Sequence, residues 1–249
     1  MITIICCYND VIILNNMLSQ SLDNQSVECN RIFIDTKKYG FKSAAEAYNN
    51  ILNNPERYVT QLTDHLMFVH QDIYFDDKDT LLKFEAILQQ SPNDIFGLAG
   101  VTSDRKVFSN LQRQGNKAFI VKNQLQQPIS VETLDECCFA MTFDLCRKIQ
   151  FDETICFGWH LYAADFCYNA NRKYASKSYV LPYKAYHKYD SSKRQNVDID
   201  FLYVINNLVL KYKDDYQAIL TPCYYISTSF LACKLKLLKS YCKIFLKFK

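Results

Sequence analysis

A carboxylate and an imidazole stand together at the end of an apolar run in the sequence MFVHQDIY, residues 67–74. His70, Gln71 and Asp72 interrupt this run before apolar residues resume. Mg²⁺ and Mn²⁺ prefer carboxylate oxygen, water and phosphate as ligands, and Mn²⁺ also accepts imidazole nitrogen. An acidic residue at the end of a strand either caps a turn or binds a ligand beyond the strand, so Asp72 is a candidate metal ligand.

Two earlier apolar runs end in the same way. Residues 2–7 are followed by Asn9 and Asp10, and residues 31–34 are followed by Asp35. Taken singly, each of these polar residues is explained most simply as a turn or cap residue. In a parallel sheet, however, the carboxyl ends of the strands lie at one edge, where ligands bind. Three polar strand ends at one edge therefore predict a polar cleft.

The elements that must position these residues alternate between strands and helices. The apolar patterns predict strands over residues 2–7, 31–34, 66–69 and 95–101, and helices over residues 11–22, 43–52 and 80–90. Ser43 is the expected N-cap of the second helix, because Glu46 follows it at the capping-box spacing. This alternation predicts an α/β fold with a mostly parallel central sheet flanked by helices.

The rest of the chain is less regular. Residues 102–128 are rich in Asn, Gln and Lys and predict a loop with at most one short strand, over residues 118–121. Further elements are expected as a strand-like stretch over residues 131–143, a helix from Asp144, a helix over residues 161–171, a strand over residues 179–181 and helical structure over residues 198–249.

Composition narrows the classes of protein. The 249 residues suffice for one large domain, with or without an appendage. A net charge of +3 is too small to indicate nucleic-acid binding. The 11 cysteines include no CxxC pair, so a structural zinc site is not expected, and most thiols should be reduced and buried. Together with the lack of a basic segment before residues 2–5, this predicts a cytoplasmic protein.

An ordered set of motifs resembles the family 2 glycosyltransferases and their relatives with the GT-A (Rossmann-like) fold, most closely the bacterial branch whose metal motif is written His-Gln-Asp. The motifs are IICCYN (4–9), FID (33–35), SAAEAYN (43–49), FVHQD (68–72), GLAGV (97–101), TLD (133–135), FDE (151–153), FGWHLY (157–162), DFC (165–167) and His187. The resemblance covers roughly residues 1 to 190. It implies a nucleotide-sugar-binding and catalytic domain over residues 1–195, with a helical C-terminal extension over residues 196–249.

The resemblance implies a metal site. Asp72 occupies the position of the last acidic residue of the family's Asp-x-Asp motif, with His70 at its first position. His187 stands where many relatives supply a late histidine to the metal or the diphosphate. Mn²⁺ or Mg²⁺ held there would neutralise a nucleotide diphosphate and stabilise its departure. For either histidine alone, a structural hydrogen bond is an equally good explanation.

The same resemblance implies a donor site for a nucleotide sugar, most simply a UDP-sugar. Asp35 would hydrogen-bond the nucleobase, Asn9 would line the same pocket, and Asn49 and Gln71 would complete it. Asp135 would lie near the donor sugar or the diphosphate. Simpler explanations remain open, because Asp35 could be a turn cap and Asp135 an Asx turn.

One expected residue is missing. An inverting transferase needs a general base for the acceptor hydroxyl, and relatives place a carboxylate where this chain has Ala163. Asp165 or His160 could substitute, although an aspartate in the place of Asp165 more often caps or braces its helix than takes part in chemistry. Otherwise the chain would be impaired as an enzyme.

The C-terminal segment is basic. Residues 216–233 carry no charge, but polar residues and Pro222 interrupt them too often for a transmembrane helix. In residues 234–249, one helical face carries Lys236, Lys239, Lys243 and Lys247, and another carries Leu231, Leu235, Leu238, Cys242 and Phe245. This pattern indicates either a helix in an anionic membrane surface, which would place the protein on the inner face of the cytoplasmic membrane, or a helix packed on its own domain.

Three functions are compatible with these features. The first is a metal-dependent, inverting glycosyltransferase that moves a sugar from a nucleotide-diphosphate donor to a glycan or lipid-linked acceptor in surface polysaccharide synthesis. The second is a non-catalytic nucleotide-sugar-binding or scaffold protein of a glycan assembly complex, which the alanine at position 163 favours. The third is a nucleotidyltransferase, which the lack of a glycine-rich phosphate loop disfavours.

Overall fold

The computed structural model describes residues 1–59, 62–113, 125–188 and 197–247. Its strands are β1 Ile2–Tyr8, β2 Cys29–Asp35, β3 His65–Val69, β4 Ile73–Phe75, β5 Ile95–Gly97, β6 Ala99–Val101, β7 Val107–Ser109, β8 Leu111–Arg113, β9 Ile129–Val131, β10 Thr133–Leu134, β11 Cys138–Thr142, β12 Ser178–Val180, β13 Ala185–His187, β14 Ala218–Leu220 and β15 Tyr225–Ser227. Its α-helices are α1 Val11–Leu14, α2 Gln20–Asp23, α3 Thr36–Tyr39, α4 Ala44–Asn53, α5 Thr80–Gln90, α6 Phe143–Ile149, α7 Tyr162–Tyr174, α8 Ile199–Tyr212 and α9 Phe230–Lys247. A π-helical turn, Asn15–Ser19, joins α1 to α2.

Seven strands form the central sheet in the order β2-β1-β3-β11-β5-β12-β9. β1 is parallel to β2 and β3, and β5 is parallel to β12. β11 runs antiparallel to both β3 and β5, and β9 runs antiparallel to β12. Five of the seven strands therefore point in one direction, which confirms the predicted mostly parallel sheet.

Both faces of the sheet are buried by helices. Ile5 and Phe68 pack into one hydrophobic cluster together with residues of α4, α7 and α8. Ile4 and Met67, their neighbours in the chain, pack into a second cluster together with residues of α1, α5 and the π-helical turn. Because side chains alternate between the faces of a strand, the two residues of each pair, 4–5 and 67–68, enter the hydrophobic clusters on opposite faces of the sheet.

Ser43 caps α4 as predicted. Its hydroxyl accepts a hydrogen bond from the Glu46 backbone N–H at 3.1 Å, and the Glu46 carboxylate accepts one from the Lys42 N–H at 2.7 Å. The cysteines also follow the prediction: all eleven lie in the described ranges and are free, and seven of them are buried.

Three predictions about irregular segments were wrong or incomplete. The single strand expected over residues 95–101 is divided at Leu98 between β5 of the central sheet and β6 of a small three-stranded sheet. The loop expected over residues 102–128 contains β7 and β8, while its predicted strand at residues 118–121 lies outside the described residues. The helical structure expected over residues 198–249 is interrupted by the hairpin β14–β15.

The C-terminal extension packs on the core of the preceding residues. α8 contributes Leu202 and Ile205 to the cluster that also contains Phe166 of α7. The Thr133 hydroxyl donates to the Leu220 carbonyl at 2.7 Å, which attaches the hairpin to β10. Within the described ranges, no helix combines the length and the apolar character that crossing a bilayer requires.

A buried ion pair fixes α8 against α7. The Lys211 ammonium lies 2.7 Å from the Asp165 carboxylate and 2.8 Å from that of Asp152. The Tyr212 hydroxyl donates to the same Asp165 carboxylate at 2.8 Å. The side chain of Asp165 is only 2% exposed. The C-terminal extension therefore depends on a charge that has been removed from water.

We expect Lys211→Met to destabilise the protein by about 3–5 kcal/mol, because it leaves the Asp165 carboxylate buried without its cation. Urea unfolding followed by circular dichroism measures this change. Lys213→Met, at an exposed neighbouring position, is the matched control. Adding Asp165→Asn to Lys211→Met should restore part of the loss. An equal loss in Lys211→Met and Lys213→Met would contradict the role of the ion pair.

Candidate functional site

The polar ends of the parallel strands form a cleft, as the sequence predicted. Tyr8 at the end of β1 lies opposite Asp35 at the end of β2, and Ile5 of β1 lies opposite Phe68 of β3. The residues that follow these strands line a cavity of about 310 Å³. Its lining consists of Cys7, Tyr8, Asn9, Thr36, Tyr48, His70, Gln71, Asp72, Trp159 and Tyr162.

Three potential metal ligands converge at this edge. His70, Asp72 and His187 each offer one ligand atom, and these atoms all lie within 4.8 Å of one another. His187 reaches the site because β13 pairs with β4, which places His187 opposite Ile73, the residue after Asp72. The Lys188 N–H also donates to the Asp72 carbonyl at 3.0 Å. A pairing between strands more than a hundred residues apart therefore completes the group.

The protonation states of this group suit a divalent cation. Burial raises the pKa of Asp72, but the hydrogen bond from His187, 3.4 Å away, outweighs it together with the electrostatic interactions with His187 and then His70. The net pKa of Asp72 is lowered, so the group is a carboxylate at neutral pH. Burial lowers the pKa of His70, which keeps its imidazole neutral. An ionised carboxylate and a neutral imidazole are the forms that bind metal.

Neighbouring residues fix the position of His70. Its backbone N–H donates to the Cys137 carbonyl at 2.9 Å, which ties it to the chain just before β11. Its Nε2 lies 3.3 Å from the Tyr162 hydroxyl at the start of α7. Such contacts around a ligand set its ring orientation and its basicity.

Gln71 and Asn9 hold each other and the turn after β1. The Gln71 side-chain oxygen accepts from the backbone N–H groups of Asn9 and Asp10, both at 3.0 Å, and its amide nitrogen donates to the Asn9 side chain at 2.9 Å. Both residues line the cavity. Their side-chain amides maintain the shape of the cleft, and a direct contact of either residue with a donor remains a prediction.

Asp35 caps α3, which is the simpler of the two roles expected for it. One of its carboxylate oxygens accepts from the backbone N–H groups of Lys37 and Lys38 at 3.0 and 3.3 Å. Thr36, the next residue, lines the cavity and donates from its hydroxyl to the Tyr8 carbonyl at 3.1 Å. Recognition of a nucleobase by Asp35 stays a prediction.

Asn49 has a structural role. It is buried, its amide nitrogen donates to the Phe151 carbonyl and the Glu153 carboxylate, and its oxygen accepts from the Phe151 N–H. Because its amide is used to hold the segment after α6, we do not retain Asn49 in the donor site.

Asp135 makes the Asx turn that was its simpler explanation, since its carboxylate accepts from the Cys137 N–H at 3.0 Å. Asp135 is half-buried, and its charge acts to raise the pKa of His70. Its charge therefore acts on His70, one of the three potential metal ligands.

The two candidate bases differ in their surroundings. Asp165 is buried, and its carboxylate forms an ion pair with Lys211 of α8. The carboxylate is therefore not available to an acceptor, and its assignment as a possible base was wrong. His160 is exposed, with its ring edge-on to Phe201 at 6.0 Å between centroids. Ala163 is fully buried in the first turn of α7.

Glu136 is a further carboxylate at this end of α7, and the sequence analysis missed it. Its carboxylate accepts a hydrogen bond from the N–H of Leu161, the residue that precedes α7. Leu161 adopts a left-handed conformation, with φ of 69°, which is unfavourable for a leucine. Burial, and then the charge of Asp135, raise the pKa of Glu136 to about 8. Only its adjacency to Asp135 in the motif TLDE could have indicated it.

A second cavity, of about 900 Å³, shares no lining residue with the first. It lies between the turn joining β6 to β7 and the hairpin β14–β15, and its lining mixes acidic, basic and hydroxyl side chains. The Arg105 guanidinium stacks over the Tyr225 ring in this wall, 3.6 Å from the ring centroid.

Comparison with known proteins identifies the fold. No protein-family model matches the sequence, and no curated protein matches it. Among solved structures, the chain is similar to GalNAc-T7, in a crystal structure with UDP, GalNAc and Mn²⁺, with a TM-score of 0.58 and 8% identity over 86% of this chain and 47% of that chain. The chain thus spans about half the length of the GalNAc-T7 chain that it matches.

The chain is also similar to A197 from STIV, with 16% identity over 76% of this chain and 86% of that chain. The TM-score of that match is 0.45, too low to support an argument. The similarity to GalNAc-T7 shows that the α/β fold of this chain is GT-A-like.

We expect Asp72→Asn to weaken Mn²⁺ binding by at least about tenfold, because the amide removes the negative charge between two imidazoles. Titration with Mn²⁺, followed by the electron paramagnetic resonance of the free ion, measures this affinity. Asp76→Asn, an exposed carboxylate four residues along the chain, is the control and should bind as the wild type does. Unchanged affinity in Asp72→Asn would exclude His70, Asp72 and His187 as the metal site.

Proposed function

We propose that this chain is a metal-dependent glycosyltransferase that transfers a sugar from a nucleotide-diphosphate donor, most simply a UDP-sugar, to a glycan or lipid-linked acceptor. The observation that carries the proposal is the convergence of His70, Asp72 and His187 at the carboxyl edge of parallel strands in a GT-A-like fold. The UDP and Mn²⁺ in the structure of GalNAc-T7 support this choice of donor and metal.

His70, Asp72 and His187 would hold Mn²⁺ or Mg²⁺, and the mixed nitrogen and oxygen set favours Mn²⁺. A bound ion would offset the charge of the diphosphate and make it a better leaving group. The protein's own part is to orient the ligands, through the contact of His70 with Tyr162 and the pairing of β4 with β13. The mutual hydrogen bonds of Asn9 and Gln71 keep the cleft in shape before the donor binds.

Glu136 is the group that we assign as the general base. Its carboxylate is bound to the Leu161 N–H, at the same end of α7 as Ala163, where the resemblance expects the base. In an inverting reaction, this carboxylate would take the proton of the acceptor hydroxyl as the hydroxyl oxygen attacks the anomeric carbon. With Glu136 in this role, the alanine at position 163 no longer argues against catalysis. His160, which is exposed, is the competing candidate.

The finer assignments rest on the resemblance. It supports membership of the family 2-like bacterial branch, an inverting hexosyl transfer, and surface polysaccharide synthesis in the cytoplasm or on the inner face of the membrane.

The cavity of about 900 Å³, with its hydroxyl, charged and aromatic lining, has the chemistry of a glycan-binding wall and is our candidate for acceptor recognition. The competing proposal is a non-catalytic protein that binds a nucleotide sugar in the same cleft. Such a protein would not convert the donor.

Donor hydrolysis separates these two functions. We expect slow, Mn²⁺-dependent release of UDP from at least one member of a panel of UDP-sugars, because transferases of this kind often let water replace the acceptor. Asp72→Asn should reduce this rate by about a hundredfold or more, whereas Asp76→Asn should leave it unchanged. Metal-dependent binding of UDP-sugars without turnover, even with added glycan or lipid-linked acceptors, would favour the non-catalytic protein.

Glu136→Gln tests the base. A base must be ionised to accept a proton, and the pKa of Glu136 is raised to about 8, so the wild-type transfer rate should rise with pH up to about 8. Glu136→Gln should lower transfer by about 10²–10⁴-fold and remove this rise, with Mn²⁺ and UDP affinities unchanged. If His160→Asn shows this loss and Glu136→Gln does not, His160 is the base.

The stability of Glu136→Gln gives a readout that does not depend on turnover. The folded pKa of about 8 lies above the ordinary value of 4.5, so ionisation of Glu136 opposes folding as pH rises through that window. Glu136→Gln should therefore melt at a higher temperature than the wild type at about pH 8.5 and at an equal temperature at about pH 4. An equal Tm at both pH values would show that Glu136 is not a destabilised carboxylate.

A further inference from the structure

Helix α9 packs on the domain through one of its faces. Cys233 and Leu237 are buried in the larger core cluster, and Tyr241 and Ile244 pack against it. Ser240 lies on the same side, with its hydroxyl 3.0 Å from that of Tyr224. At 3.6 residues per turn, these five positions fall within about 100° of the helix circumference. Of the two alternatives that the sequence left open, packing of the helix on its own domain is thus observed, but through side chains that the sequence analysis did not select.

The opposite face of α9 carries a second apolar stripe that nothing in the described structure covers. We call Leu231, Leu235, Leu238, Cys242 and Leu246 the outer stripe; they fall within about 80° of one another on the helix. Leu231, Leu238 and Leu246 are 68%, 61% and 72% exposed. Because these leucines are exposed, they add no buried apolar area to the folded monomer. A contiguous exposed apolar stripe of this kind indicates an interaction surface.

Lysines flank the outer stripe on both sides. Lys234 lies on one side, Lys239 and Lys243 lie on the other, and all three are exposed. Lys236 differs from the sequence prediction: it turns inward, donates to the Tyr225 carbonyl, and lies over the Tyr224 ring, 4.7 Å from its centroid. No acidic residue occurs after Asp215, so the flanking lysines have no carboxylate in their own segment to pair with.

We propose that the outer stripe and its flanking lysines bind the surface of an anionic lipid bilayer, with α9 lying in the plane of the headgroups. The leucines would enter the boundary between headgroups and acyl chains, while Lys234, Lys239 and Lys243 would reach the lipid phosphates. Apolar insertion and charge attraction are the two signals whose combination makes such binding stable.

The positive charge of α9 favours a bilayer over a second copy of the chain as the partner of the outer stripe. Two copies of α9 packed through their outer stripes would bring six lysines together without a compensating carboxylate, which opposes a dimer at this face. A bilayer rich in anionic lipid supplies both negative charge and apolar depth. The proposal does not depend on the glycosyltransferase assignment, because it concerns a surface that shares no residue with the cleft.

Vesicle flotation tests this proposal. The full-length protein is mixed with vesicles of phosphatidylcholine alone or of phosphatidylcholine and phosphatidylglycerol in about a 2:1 ratio. We expect binding to the mixed vesicles, little binding to the neutral ones, and loss at high salt, which screens the lysines. Leu231→Ser/Leu235→Ser/Leu238→Ser, and separately Lys234→Gln/Lys239→Gln/Lys243→Gln, should each weaken binding by at least about tenfold.

Matched controls are available because the altered residues are exposed. Leu82→Ser, on the exposed side of α5, and Lys173→Gln, at the end of α7, should bind vesicles as the wild type does. Equal melting temperatures would show that the triple variants remain folded. Failure to bind the mixed vesicles, or equal binding by the wild type and both triple variants, would overturn the proposal. A dimer in solution that the serine variant dissociates would assign the stripe to a second copy and would overturn it equally.

Discussion

The parallel pairing of β1 with β2 and β3 is the constraint on which the rest of the molecule depends. This pairing places Asn9, Asp35 and Asp72 at one edge of the sheet, because each follows the carboxyl end of a strand. The register is secured from both sides, since alternate residues of β1 and β3 enter different hydrophobic clusters. A slip of one residue would exchange the two sets of side chains and would also move Asp72 away from His187.

The candidate site contains titratable groups that are held in partly or fully buried surroundings. Asp72 and His70 are partly removed from water, and Glu136 is held where burial penalises its charge. Leu161 adopts a left-handed conformation, and its N–H donates to Glu136. A carboxylate with a raised pKa, such as Glu136, and a strained backbone both lower stability at neutral pH, and both are common at functional sites. Both features occur together at the start of α7, which supports our proposal that this helix end belongs to the site.

The sequence was sufficient wherever an element is defined by its own periodicity. The strands at residues 2–7 and 66–69, the cap at Ser43 and the group of His70, Asp72 and His187 were all predicted, the last through the order of motifs. The three-residue strands β7, β8, β14 and β15 were missed, because each is too short to show a periodicity of its own and is defined only by its pairing with β6, with β13 or, for β14 and β15, with each other. Asp165 and Asn49 were assigned through the resemblance and Lys236 through its helical spacing, whereas their contacts with Lys211, Phe151 and Tyr225 determine their roles.

Ala163 and the Leu161 N–H that binds Glu136 both lie at the N-terminal end of α7. Ala163 is fully buried, two residues after the N–H that binds Glu136. Burial, and then the charge of Asp135, raise the pKa of Glu136 to about 8, whereas Ala163 belongs to the hydrophobic cluster that contains residues of α7 and α8. A carboxylate at position 163 would be buried in that cluster, where its ionisation is penalised. Burial at position 163 is therefore a physical reason for a small uncharged residue there, and it is compatible with our proposal that Glu136 is the base.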